Sequence, residues 1–102
     1  MTQWRQVDYN IATDSLVGVG RIEDSNLKGT TSSGLSTIAL YKGTTKEYAW
    51  GKWISISMVI QGVAFNVNGR VVAAHMDSNA VMFFRGIDGT LINCQKYTTF
   101  SS

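Results

Sequence analysis

Proline is absent from this 102-residue chain, and cysteine and histidine occur once each, at Cys94 and His75. A single cysteine rules out an internal disulfide and favours a reducing compartment. One cysteine, one histidine and 7 acidic residues leave little from which to build a metal site. None of them has the spacing of a zinc or EF-hand site, so no metal and no cofactor is expected. Charge is sparse, at 16% of residues against the usual value of about 25%. Long solvated helices rely on Glu and Lys, so a helical architecture fits poorly. The net charge of +2 falls short of the basic stripe that strong nucleic-acid binders concentrate on one face. No apolar run approaches the roughly 20 residues that span a bilayer. Met1 to Asp8 shows no apolar stretch behind basic residues, so neither a leader nor a membrane partner is expected. These absences point to the cytoplasm, of a cell or of an infected host. Missing proline also removes one common guard of sheet edges. The edges should then be paired, bulged or covered by another subunit, which favours a closed barrel or a homo-oligomer.

What the chain does carry is β patterning. From Trp53 to Tyr97 it reads as a continuous meander, with Asn68-Gly69 as its anchor. Asn-Gly is the preferred pair for a two-residue type I′ turn, and such a turn fixes register. It sets Phe65 opposite Val72 and Val63 opposite Ala74. Two-residue turns at Asp77-Ser78 and Asp88-Gly89 would extend this into one apolar row of Phe65, Val72, Phe83 and Cys94. A rival reading coils Ser78 to Arg85 into a short helix, with Asp77 as N-cap and Gly86 just past its end. The strand is preferred, because Val81, Phe83 and Phe84 favour extended backbone.

Upstream, strands are expected at Gln3–Tyr9, Ser15–Ile22, Leu35–Tyr41 and Lys46–Trp50. Gly51 should kink the chain before another strand opens at Lys52-Trp53, where Ile54, Ile56, Met58 and Ile60 alternate with Ser55, Ser57 and Val59. Gly18 and Gly20 share one face and leave a groove for a neighbouring ring or backbone. Glu23 to Gly34 is polar and long for a connection, either a mobile or a functional loop. The expected fold is a single all-β domain over residues 1–102. It would hold about seven to nine short antiparallel strands in a barrel or sandwich, with a C-terminal β-meander.

Three readings of function follow. The first is a non-enzymatic, homo-oligomeric binding protein that captures a small planar or anionic molecule such as a nucleotide or short oligonucleotide. In a regular fourth strand Lys46, Tyr48, Trp50 and Lys52 share a face, with Trp53 close by. Aromatics interleaved with lysines can stack rings and steer anions. Arg70 and Arg85 fall on one face at one end of the meander and could clamp a phosphate or carboxylate. Against this stands the ordinary use of Trp50 and Trp53 as core or subunit-interface residues. The second reading is a protein–protein interaction module, an inhibitor or an assembly subunit of the viral accessory kind. Its surface would be the half-apolar, half-amide face bearing Asn66, Met82, Phe84 and Asn93. The third is a hydrolase using His75. Its neighbours Asp77 and Ser78 lie at one turn, and the expected register puts Cys94 on the opposite face from His75, so no catalytic residue is assigned. Gly18-Val19-Gly20 lacks a third glycine, since Glu23 stands there, and is no dinucleotide fingerprint.

Overall fold

A computed structural model describes residues 2–27, 37–54, 59–77 and 79–97. Eight strands occur among them: β1 (Gln3–Asn10), β2 (Ser15–Arg21), β3 (Thr37–Lys42), β4 (Tyr48–Trp53), β5 (Ile60–Phe65), β6 (Val71–Met76), β7 (Ala80–Arg85) and β8 (Leu91–Lys96). They form two four-stranded antiparallel sheets, β1-β2-β3-β4 and β5-β6-β7-β8, each a simple meander. The fold is all-β, an open sandwich rather than a closed barrel. Among the described residues there is no helix, so none is long and apolar enough to cross a membrane.

One hydrophobic core joins the sheets. Val17, Val19, Ile38, Leu40 and Trp50 come from the first, and Ile60, Val72, Ala74, Met76 and Phe84 from the second. Burying each large apolar side chain of this kind stabilises the fold by about 1.5–3 kcal/mol. A smaller cluster of Ile22, Leu27 and Ala39, with Tyr41 and Tyr48 packed on it, lies on the far face of the first sheet.

The groove expected over Gly18 and Gly20 exists, and both kinds of filler occupy it. The Trp4 ring covers Gly18, where a Cβ would come within 2.1 Å of it. The β1 backbone crosses Gly20, where φ is +143° and a Cβ would come within 2.4 Å of the Gln3 carbonyl, so the position suits glycine alone.

β5 is an edge strand of the second sheet, and side chains of β1 cover it. Gln6 Oε1 accepts from the Val63 N–H at 2.6 Å, and Asp8 Oδ2 accepts from the Phe65 N–H at 2.7 Å. Asn10 Nδ2 donates to the carbonyls of Asn66 and Val67. Gln6, Asp8 and Asn10 alternate along β1, so all three project toward the second sheet. A polar ladder of side chains therefore stands in for the strand that β5 lacks.

The anchor register is as expected: Val63 pairs with Ala74 and Phe65 with Val72. The turn itself differs. Of the pair Asn68-Gly69, only Gly69 has positive φ. Asn66 still pairs with Val71, closing a four-residue loop in which the Gly69 N–H bonds the Asn66 carbonyl. Asn66 and Asn68 side chains accept from the Val71 and Arg70 N–H groups, so local amide bonding shapes this loop.

The next turn overturns the expected row. β7 is extended, but Asn79 takes φ +60° and lengthens the connection by one residue. That pairs Val72 with Phe84 and Ala74 with Met82. A one-residue slip exchanges the two faces of a strand. Phe84 and Met82 thus point into the core, while Val81 and Phe83 point outward. Toward β8 a further irregularity follows, and Phe84 pairs with Leu91 and Met82 with Cys94. The inner row is Phe65, Val72, Phe84 and Leu91. Cys94, on the outermost strand, is exposed and not a buried small hydrophobe.

Two other expectations need correction. β4 runs unbroken through Gly51, which pairs with Ala39, so there is no kink there. The alternation expected around Ile56 and Met58, and most of the Glu23–Gly34 loop, lie outside the described residues.

Candidate functional site

A bulge in the β3–β4 pairing, between Leu40-Trp50 and Tyr41-Tyr48, takes apart the expected aromatic–lysine surface. An extra residue in one strand breaks side-chain alternation. Lys46 lies in the β3–β4 turn with φ +64°. Tyr48 packs on the outer face of the first sheet, edge-on to Tyr41 at 5.8 Å. Trp50 points the other way and is buried at 6% exposure. Its ring meets Phe84 at 6.3 Å, and its Nε1–H donates to the Gly86 carbonyl at 2.8 Å. Trp50 is a core residue. Lys52 follows it toward the inner side, and Trp53 returns to the outer face, partly exposed.

Among the described residues, that outer face carries the exposed aromatics Trp4, Tyr9 and Trp53. Pairing places Tyr9, Leu16, Tyr41 and Tyr48 in one row and Val7, Gly18, Ala39 and Gly51 in the next. Trp4 lies over Gly18 and meets Tyr41 edge-on at 6.2 Å. Leu27 fills the space above Gly51. Trp4, Val7, Tyr9 and Trp53 keep 38–48% of their surface exposed. Two phenols are tied to carboxylates: Tyr41 donates to Asp24 at 2.8 Å and Tyr9 to Asp14 at 2.7 Å. Burial, and then the Asp24 bond, push the Tyr41 phenol well above its ordinary value. Bonds from Thr44 and then Tyr9 hold the Asp14 carboxyl low. The Asn26 backbone N–H does the same for Asp24, with Tyr41 adding to it.

The outer face of the second sheet is smaller in its side chains. Ala64, Ala73, Phe83 and Asn93 form one row, with His75, Val81 and Gln95 in the next. Of the four residues expected to form an interface, Asn93 lies on this face and Asn66 is exposed where β5 ends. Met82 and Phe84 do not, because the β7 slip turns them inward. His75 is exposed on this outer face, and Cys94 sits on the opposite one, as its Met82 pairing requires. Ser78 lies outside the described residues. Among the described residues no cluster of three or more His, Cys, Asp or Glu could hold a metal.

A cleft of about 520 Å³ opens at the end of the sandwich where the β1–β2, β5–β6 and β7–β8 turns converge. Buried Leu40 forms its floor, and Lys42, Arg70 and Arg85 stand around it. Arg70 and Arg85 were expected to share one face at one end of the sheet. Both line this cleft, but the β7 slip pairs Arg85 with Val71 and bonds Gly86 to Arg70, so they do not share a row of one face. Lys42 joins them from the other sheet, where nothing in the one-dimensional pattern marks it. The turns are bonded to one another. The Gly86 N–H donates to the Arg70 carbonyl at 2.7 Å, and Asn10 bridges to the β5–β6 turn. A Cβ on Gly86 would meet the Gly69 carbonyl at 2.4 Å, so glycine is required for this approach. Arg85 also pairs with Asp88 at 3.5 Å, and the Thr90 backbone N–H chiefly holds that carboxyl low.

No protein family matches the chain, and no curated protein matches its sequence. A solved structure does resemble it: the β-propeller domain of Cps50 (Swd1) from Myceliophteria thermophila, with a TM-score of 0.63 at 13% identity. The match covers 90% of this chain and 28% of that one, so this chain spans little more than a quarter of its length. At that identity the likeness concerns the fold. Propellers are built from four-stranded antiparallel blades, and each sheet here has that form.

Proposed function

We propose that this protein is a non-catalytic protein–protein interaction module, a two-blade subunit that assembles by stacking its outer faces against further copies of itself. The observation that carries the reading is the pair of outward faces. Each sheet buries one face in the shared core and presents the other, Trp4, Val7, Tyr9 and Trp53 on the first sheet, Ala73, Val81 and Phe83 on the second. Aromatic residues are enriched at the centres of protein interfaces, and a face with small side chains accommodates them. A propeller-like stack supplies the geometry, because every blade packs between two others. Rings of about 4–8 blades correspond to about two to four copies of a two-blade chain. The contact is heterologous, first-sheet face to second-sheet face, and closes if the rotation allows.

The ligand-capturing alternative loses its stacking surface. Trp50 is buried, Tyr48 is packed on Tyr41, and Lys46 belongs to a turn. Of the residues invoked for it, Arg70 and Arg85 both line the end cleft, though not on one shared face.

Native mass spectrometry of this 102-residue protein tests the assembly. A discrete multimer is expected. Val7→Lys spoils the first-sheet face and Ala73→Lys the second, and each should reduce the multimer to monomers. Mixed together, the two variants retain one sound contact and should yield a dimer and nothing larger. A monomeric parent protein at high concentration would sink the proposal.

A further inference from the structure

We infer that the cleft between the β1–β2, β5–β6 and β7–β8 turns is a binding site for a small oxyanion carried on a compact apolar body, a carboxylate or a phosphate monoester. Its volume of about 520 Å³ lies within the roughly 300–1,000 Å³ of small-molecule sites. The lining holds three cations, Lys42, Arg70 and Arg85, and no acidic residue. Leu40, Ala49 and Ile87 supply its apolar surface. A cationic rim over an apolar floor selects a molecule that is charged at one end only.

The site is held in place before any ligand arrives. Arg70 follows a turn whose backbone is bonded to Gly86, and Arg85 directly precedes Gly86. The Gly86 carbonyl is itself fixed by Trp50. Both guanidinium groups therefore hang from one bonded framework, and guanidinium matches an oxyanion bidentately. Two carboxylates lie near the rim. Asp88 pairs with Arg85, and Asp14 accepts bonds from Tyr9 and Thr44 beside Lys42. The Arg85–Asp88 pair is exposed, with 55% and 46% of the two side chains accessible. Exposed pairs of this kind are weak, so a ligand oxyanion can take the guanidinium over. Asp14 accepts bonds from two hydroxyls and also attracts Lys42 through its charge, so Lys42 is a cation shared between that carboxylate and the cleft.

This site is independent of the outer faces, and its test does not depend on assembly. Amide chemical shifts of the labelled protein are followed during titration with phenyl phosphate, benzoate, inorganic phosphate and benzyl alcohol. Phenyl phosphate or benzoate should give saturable shifts at Gly69, Gly86 and Ile87, and whichever binds more tightly identifies the preferred oxyanion. Inorganic phosphate and benzyl alcohol, each lacking one half of the ligand, should bind more weakly. Arg70→Gln and Arg85→Gln should each weaken binding about tenfold, the value of one charge-assisted bond. Both positions are exposed, so the remaining spectrum should be unchanged. Trp53→Ala, on the outer face, should bind as the parent does. No saturable shift at the cleft with either aryl oxyanion, parent-like affinity in both arginine variants, or lost affinity in Trp53→Ala would each overturn the assignment.

Discussion

Trp50 of the first sheet donates its indole N–H to the carbonyl of Gly86, 36 residues away in the second sheet, at 2.8 Å. The bond is buried, and it fastens β4 to the turn that shapes the end cleft. Trp50→Phe keeps an aromatic ring but leaves that carbonyl without its donor, at an expected cost of about 1–3 kcal/mol. Trp50→Ala also opens a cavity and should cost about 3–5 kcal/mol. Urea unfolding followed by circular dichroism measures both. A midpoint unchanged by Trp50→Ala would contradict the core role and restore Trp50 as a candidate for stacking a ligand.

The polar ladder from β1 predicts an edge strand that does not behave like one. The Val63 and Phe65 N–H groups point away from β6, yet Gln6 and Asp8 accept from them. Their hydrogen exchange should be slow. In Asp8→Ala the Phe65 amide should exchange much faster, and stability should fall by about 1–3 kcal/mol, the cost of an orphaned donor. Asp8→Asn keeps an acceptor oxygen and should recover most of the loss. Fast exchange at Phe65 in the parent protein would show that this cover is not made in solution.

Gly18 and Gly20 should respond differently to the same substitution. Beside Gly18 the obstacle is the rim of the Trp4 ring, a side chain that is 44% exposed and can swing aside. Beside Gly20 it is backbone, with a positive φ in addition. Gly20→Ala should therefore cost more than Gly18→Ala, by about 1–3 kcal/mol for the strained conformation. Thermal melts of the two variants compare them directly, and equal losses would mean that the Gly20 crossing relaxes freely.

The fold class was legible because alternation survives errors in turn type. Asn68-Gly69 forms a four-residue loop rather than a type I′ turn, but the loop adds one residue on each side and leaves Phe65 opposite Val72. Asp77-Ser78 had no such protection. Asn79 adopts positive φ, a conformation asparagine tolerates better than most residues, and one added residue moved Phe84 from an expected surface to the core. The bulge between Tyr48 and Trp50 did the same to the expected binding strip. Local pattern carries no sign of a bulge when the residues on both sides suit a strand. Arg70 and Arg85 lie at one end because one meander carries both, but the same slip at Asn79 took them off a shared face. Lys42 was missed because its place at the cleft depends on how two sheets stack, which no spacing within either sheet records.

Asp24 and Tyr41 set a pH window for the first sheet. The Asp24 carboxyl titrates below its ordinary 3.8 in the folded protein, first through the Asn26 backbone N–H and also through Tyr41. A carboxyl lowered by folding stabilises the native state above its unfolded value, and that contribution disappears as pH falls through the folded value. The Tyr41 phenol is shifted the opposite way, above its ordinary 10.0, by burial and by Asp24. Its contribution is complete below the unfolded value and is lost only as pH rises through the raised one. Asp24→Asn should therefore be less stable than the parent at about pH 7, and the gap in urea midpoint should close as pH drops below 3.8. In alkali, the phenolate absorbance lost in Tyr41→Phe should be the portion that appears late in the parent titration. A gap between Asp24→Asn and the parent that stays constant through the acid range would show that the Tyr41 bond draws nothing from the carboxylate charge.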